Sequence, residues 1–275
     1  MKQNLLGKFL LPAVLTVTAL SFSACSGNEI SESSLPPSQV QSENEASSVQ
    51  SSQSSEPAES TTLNAVEEAE DAVFNNAVFV GDSVSLKLNL FVSAQRKENP
   101  NFFGTAQFLT PGSYGSGNEL KKLGSENSVH PSYNGTEMYL ADAIAQMGAT
   151  KVFIMLGMND IAVYGIDGAV QNMETVLAQI KEKSPGTMIY VQSMTPIVES
   201  AQKGDLTNAN LNLYNTALQV MCRENDYIFL DVASVMKDDS GNLKREYCSD
   251  PDNMGVHFTD AGCQAWIAYL RTHIA

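Results

Sequence analysis

The chain has 275 residues, 31 acidic against 16 basic, and a net charge of −15 that is unevenly spread. Residues 26–72 hold ten acidic residues and no basic one, while residues 73–275 hold 21 acidic and 14 basic, a balance of −7. This mild acidity argues against nucleic acid as a partner, and three scattered histidines do not make a zinc site.

Met1 to Ala24 carries Lys2 and Lys8 ahead of an apolar stretch, Phe9 to Ala24, that ends in small residues, as a secretory signal peptide does. The stretch is short for a membrane span, which needs roughly 20 apolar residues. Cys25 follows in Phe-Ser-Ala-Cys, which resembles the lipobox of bacterial lipoproteins, with Phe22 where leucine is usual. That resemblance implies cleavage before Cys25, lipidation of its thiol and an extracytoplasmic domain anchored to the bacterial cell membrane. The alternative is a plain secreted protein cut after Ala24. From Ser26 to Thr62 the residues are almost all Ser, Glu, Gln, Asn, Pro and Ala. A segment so poor in apolar surface cannot offset its ordering entropy and reads as a disordered tether. As a flexible coil it would reach about 35 Å.

Residues 63–275 suit one domain with a full core. After a helical lead-in (Leu63 to Phe74), apolar runs at Ala77–Val80, Phe102–Leu109, Lys151–Leu156, Thr187–Ser193 and Tyr227–Val232 predict strands. Helical spacing marks Val84–Gln95, Thr136–Met147, Ala169–Lys183, Asn208–Glu224 and Asp260–His273, the last behind Thr259 as its cap. Continuous apolar strands separated by helices predict an α/β three-layer domain with five parallel strands.

In such sheets ligands bind beyond the carboxyl ends of the strands. The exits are Gly81-Asp82-Ser83, Thr110-Pro111-Gly112, Gly157-Met158-Asn159-Asp160 and Ser193-Met194-Thr195-Pro196. Ser83 opens a helix, where its own N–H can hold an oxyanion. The Asn159 carboxamide can donate to the same charge. His257 lies between the last strand and the last helix, as a general base for Ser83 would. His130, Tyr133 and Tyr114 are candidates for the pocket wall. Cys248 and Cys263 would close a loop around His257 if they formed a disulfide; buried free thiols are the alternative.

Together these segments resemble the SGNH hydrolases, also called the GDSL esterase family. Its blocks are Gly-Asp-Ser-Leu with the nucleophile, a glycine after the second strand, Gly-x-Asn-Asp after the third, and Asp-x-x-His near the C-terminus. Here they read Gly81-Asp82-Ser83-Val84, Gly112 (with Gly115 as second choice), Gly157-Met158-Asn159-Asp160 and the segment ending in His257. The resemblance implies a flavodoxin-like sheet of order 2-1-3-4-5 and a serine esterase that needs no cofactor or metal. It also implies an oxyanion hole made of the Ser83 amide, the Gly112 amide and Asn159.

The chain departs from the pattern at Met254, which stands three residues before His257 and cannot orient an imidazole. Asp252 is the expected partner of His257, with Asp250 or a backbone carbonyl as alternatives. The expected substrate is a short acyl ester, acetyl first, on a cell-envelope or dietary glycan. Alternatives are a lysophospholipase or lipase, an O-acetyltransferase, or a binding lipoprotein weakened in catalysis. No Gly-x-Ser-x-Gly elbow, P-loop or dinucleotide fingerprint is present.

Overall fold

A computed structural model describes residues 69–274. The signal peptide, Cys25, the tether and the first half of the lead-in, residues 63–68, lie outside the described residues.

The elements in chain order are β1 (Ala77–Gly81), α1 (Ser83–Gln95), β2 (Gln107–Leu109), α2 (Ser116–Glu119), β3 (Ser132–Tyr133), β4 (Thr136–Glu137) and α3 (Leu140–Met147). There follow β5 (Lys151–Met155), α4 (Ile161–Lys183), β6 (Met188–Gln192), α5 (Asn208–Glu224), β7 (Ile228–Leu230), α6 (Ala233–Met236) and α7 (Asp260–His273). Five strands form one parallel sheet in the order β2-β1-β5-β6-β7. With the β3–β4 hairpin set aside, this is the 2-1-3-4-5 order.

Helix α3 packs on α4 and α4 on α5, while α7 returns to pack beside α1; the right-handed rule for parallel crossovers puts these two groups on opposite faces of the sheet. Because both faces are covered, β1 is buried at every residue, and β5 and β6 at all but their first. Phe108, Phe79, Phe153 and Tyr190 are in-register neighbours on four adjacent strands, and their rings stack at 5.5, 4.6 and 4.5 Å between centroids. Each stacked pair contributes about 0.5–1.5 kcal/mol beyond its buried area. A slip of one residue would turn each ring to the opposite face, so the row pins the register. That register sets Val80 beside Leu109 and Gly81 beside Met155, which brings the exits of β2, β1 and β5 to one level.

The edge strands are shorter than their apolar runs predict. Phe102–Thr105 turns instead of extending, with Phe103 at φ 61° and its ring stacked 3.9 Å from Phe74. Helix α3 starts at Leu140 rather than at residue 136. Asn134 (φ 51°) and Gly135 (φ 77°) form the two-residue turn of the β3–β4 hairpin instead. Helix α4 starts at Ile161, ahead of the expected Ala169, and is broken at Gly165, whose φ of 67° and ψ of 179° are not helical. Thr259 caps α7 by accepting from the Gly262 amide. Among the described residues, no helix is long and apolar enough to cross a membrane.

Candidate active site

Strand β1 ends at Gly81, a position where nothing larger fits: a Cβ there would lie 2.0 Å from Ser85 Oγ. Asp82 then caps α1, its Oδ1 accepting from the Val84 amide at 2.9 Å. Ser83 is the first helical residue, so its N–H belongs to the group that finds no partner inside the helix. Its Oγ lies 3.0 Å from His257 Nε2, across 174 residues of chain.

His257 Nδ1 is 2.7 Å from Asp250 Oδ2. The other oxygen of Asp250 accepts from the amides of Val256 (3.2 Å) and His257 (3.1 Å) and from the Cys248 thiol (3.4 Å). Partial burial would raise the Asp250 pKa, but the bonds from the His257 ring and amide outweigh it and hold the carboxyl below its ordinary value. An ionised Asp250 assigns the proton to Nδ1 and leaves the Nε2 lone pair facing the Ser83 hydroxyl. This is the geometry of a general base with its orienting acid.

Asp252 is not that acid. Its side chain is 90% exposed and sits 3.6 Å from Arg245. The reason is the shape of the loop: Ser249 N donates to His257 O, Cys248 bridges Phe258, and the Asn253 and Gly255 amides both return to Asp250 O. The residues between Asp250 and Val256 are thus extruded as a turn, and the carboxylate at its root, seven residues before the histidine, meets the ring. Nor do Cys248 and Cys263 form a disulfide. Cys222, Cys248 and Cys263 are all free and buried, and the backbone pairings hold the loop instead.

On the other side of Ser83, β5 leaves through Gly157 (φ 149°), where a Cβ would meet the Tyr214 ring at 2.4 Å. Asn159 follows, its Nδ2 donating to Asp82 Oδ2 and to the Tyr114 carbonyl, each at 3.0 Å. Burial pushes the Asp82 pKa up to about 6, against the opposing effects of the Val84 amide and of His257.

The glycine beside Asn159 is Gly115, not Gly112. Gly112 is exposed, with nothing within 4 Å of a Cβ. Gly115 is buried, directly follows the carbonyl bound by Asn159, and packs so closely on Asp160 that a Cβ would lie 2.7 Å from its carboxylate. Asp160 accepts from the amides of Ser116 (3.0 Å) and Gly117 (2.8 Å), fixing this loop. Among the described residues, the N–H groups of Ser83 and Gly115 have no protein acceptor.

Tyr114 and His130 are buried under the loop rather than lining a pocket, and Tyr133 is half-buried in the hairpin. Sequence reasoning missed the roles of Asp160, Glu119 and Cys248; only Asp160 carried a signal, as the last residue of the Gly-x-Asn-Asp block. A cleft of about 590 Å³ opens between α4 and α5, with Ile161 and Leu213 in its wall and Asp167, Asp205 and Asn210 among its polar lining.

The model of the GDSL-like lipase/acylhydrolase family matches residues 114–265, more than half of the chain. A GDSL-like lipase from Bacteroides thetaiotaomicron superposes with a TM-score of 0.55 at 17% identity, covering 78% of this chain and 96% of its own. A lipase/acylhydrolase from Enterococcus faecalis does so with a TM-score of 0.50 at 14% identity, covering 72% and 94%. The acetyl xylan esterase AlAXEase gives a TM-score of 0.51 at 13% identity, covering 72% and 99%. No curated protein matches the chain.

Proposed function

The chain belongs to the GDSL-like lipase/acylhydrolase family and is a hydrolase of the SGNH type, and from that premise we propose that it is a serine esterase removing short acyl groups, acetyl first, from glycans. The observation that carries the reading is the continuous relay from Ser83 Oγ through His257 to Asp250, at 3.0 and 2.7 Å.

In this reading His257 Nε2 takes the Ser83 proton as Oγ attacks the acyl carbon, and Asp250 stabilises the imidazolium. The negative charge that develops on the carbonyl oxygen meets the free N–H groups of Ser83 and Gly115 and the Asn159 carboxamide. Nδ2 of Asn159 already has two acceptors, so the oxyanion must share or displace one of them. His257 then returns its proton to the leaving alcohol. Water activated by the same histidine splits the acyl-enzyme, releasing the acid and restoring Ser83.

One feature favours a glycan ester over a long-chain lipid. A solved structure of the same fold carries the name acetyl xylan esterase. The lipobox-like Cys25 and the acidic tether complete the proposal, with work at the outer face of a membrane. Met254 is the feature that favours a weakened binding protein, and it loses its force because Asp250 stands where the acid is needed.

The test is hydrolysis of p-nitrophenyl acetate and p-nitrophenyl octanoate by the full chain beside Ser83→Ala. Acetate turnover at least about tenfold faster than octanoate, and lowered about 10⁴-fold or more by the substitution, is the expected result. Faster octanoate turnover would replace the glycan reading with a lipase. No turnover and no labelling of Ser83 by a fluorophosphonate would sink the esterase.

A further inference from the structure

Beneath the loop that carries Gly115 lies a polar cluster with no part in the relay. Tyr114, Glu119 and His130 are 0%, 1% and 4% exposed. Glu119 accepts three bonds: from the Tyr114 hydroxyl (2.8 Å) and His130 Nδ1 (3.1 Å) on Oε2, and from the Leu140 amide (2.6 Å) on Oε1. The His130 ring in turn stands edge-on to Tyr139 at 5.1 Å, and the Tyr139 hydroxyl accepts from the Leu123 amide. A buried carboxylate with three donors is costly to assemble and costly to disturb, because each partner left unpaired keeps its full desolvation penalty.

The cluster connects to the chemistry through one residue. Tyr114 has its ring hydroxyl on Glu119, its carbonyl on Asn159 Nδ2, and its peptide bond to Gly115. Two of the three oxyanion donors therefore take their position from Tyr114. We propose that the Tyr114–Glu119–His130 cluster is the positioning device of the oxyanion hole, holding Tyr114 so that the Gly115 amide and the Asn159 carboxamide converge on one point. Asp160 clamps the middle of the same loop through Ser116 and Gly117, and Glu119 anchors its end to the start of α3. The inference rests on the esterase reading and adds to it positioning residues that touch no substrate.

The decisive variant is Tyr114→Phe, which removes one hydroxyl and keeps the ring. The expected result with p-nitrophenyl acetate is a kcat lowered about tenfold with KM within twofold, since the donors act on the transition state. Labelling of Ser83 by a fluorophosphonate should slow by a similar factor, while the shape of the pH profile stays unchanged. Amide hydrogen exchange in residues 113–117 should rise about tenfold. An unchanged kcat with a lowered Tm, or a loss confined to KM, would reduce the cluster to a structural one and overturn the proposal. His130→Gln, which removes a donor from the other side of Glu119, is read in the same way if the tyrosine variant does not fold. If the parent hydrolyses no ester, the esterase reading fails by itself. The exchange measurement then still judges the clamp, and unchanged exchange would refute it.

Discussion

The two ends of the relay are built in opposite ways. At the serine end three consecutive residues do everything: Gly81 permits the exit, Asp82 caps the helix and Ser83 stands at its first turn. At the histidine end, acid and base are seven residues apart and meet because a backbone pairing closes the loop between them. Local stereochemistry can be read from a tripeptide. Geometry made by loop closure cannot, because sequence spacing there says little about distance.

The contrast is broken most forcefully at Asp250. Asp250→Asn should lower kcat/KM about 10⁴-fold by presenting the wrong tautomer of His257, read from initial rates on p-nitrophenyl acetate. An effect under tenfold would mean that the loop, and not the carboxylate, orients the ring.

At the serine end the largest effect concerns stability. Folded Asp82 has its pKa raised from 3.8 to about 6, so the native state binds the proton more tightly than the unfolded chain. This contribution to stability is fully present below about pH 4 and is lost as pH rises to about 6, by about 3 kcal/mol. Asp82→Asn should flatten this slope in urea titrations between pH 4 and 7. An unchanged slope would show that Asp82 stays ionised throughout.

Gly81→Ala comes next. The added methyl meets both Oγ and Cβ of Ser85, and overpacking of this kind costs about 1–3 kcal/mol, which calorimetry would record as a lowered Tm. The smallest effect sharpens the comparison from the other end. Asp252→Asn, on the exposed tip of the turn, should leave kcat/KM within twofold. A large loss there would restore the shorter spacing.

Much of the architecture was legible because burial on both faces writes β1, β5 and β6 as unbroken apolar runs. The helix Asn208–Glu224 and the capped helix after Thr259 carry their own periodicity and start signals. The nearness of Ser83 and His257 followed from the rule that strand exits share one end of the sheet. What escaped depended on tertiary context. Asn134-Gly135 is a strong hairpin signal but flanks only two-residue strands, so the helical pattern that follows masked it. Gly112 sits nearer β2, yet Gly115 is the glycine that Asp160 and Tyr114 draw toward Asn159. Glu119 carried no signal in the sequence because its three donors come from residues 5 to 21 positions away.

The three buried thiols also make the domain a quiet background for site-specific chemistry. Burial pushes Cys222 and Cys263 up to about 12 and Cys248 up to about 11, so at neutral pH roughly one in 10⁴ or fewer of them is a nucleophilic thiolate. A single cysteine introduced at the exposed tip of the 250–257 turn would therefore take a maleimide dye ahead of all three. Such a dye would turn the loop that joins acid to base into a fluorescent reporter of substrate arrival.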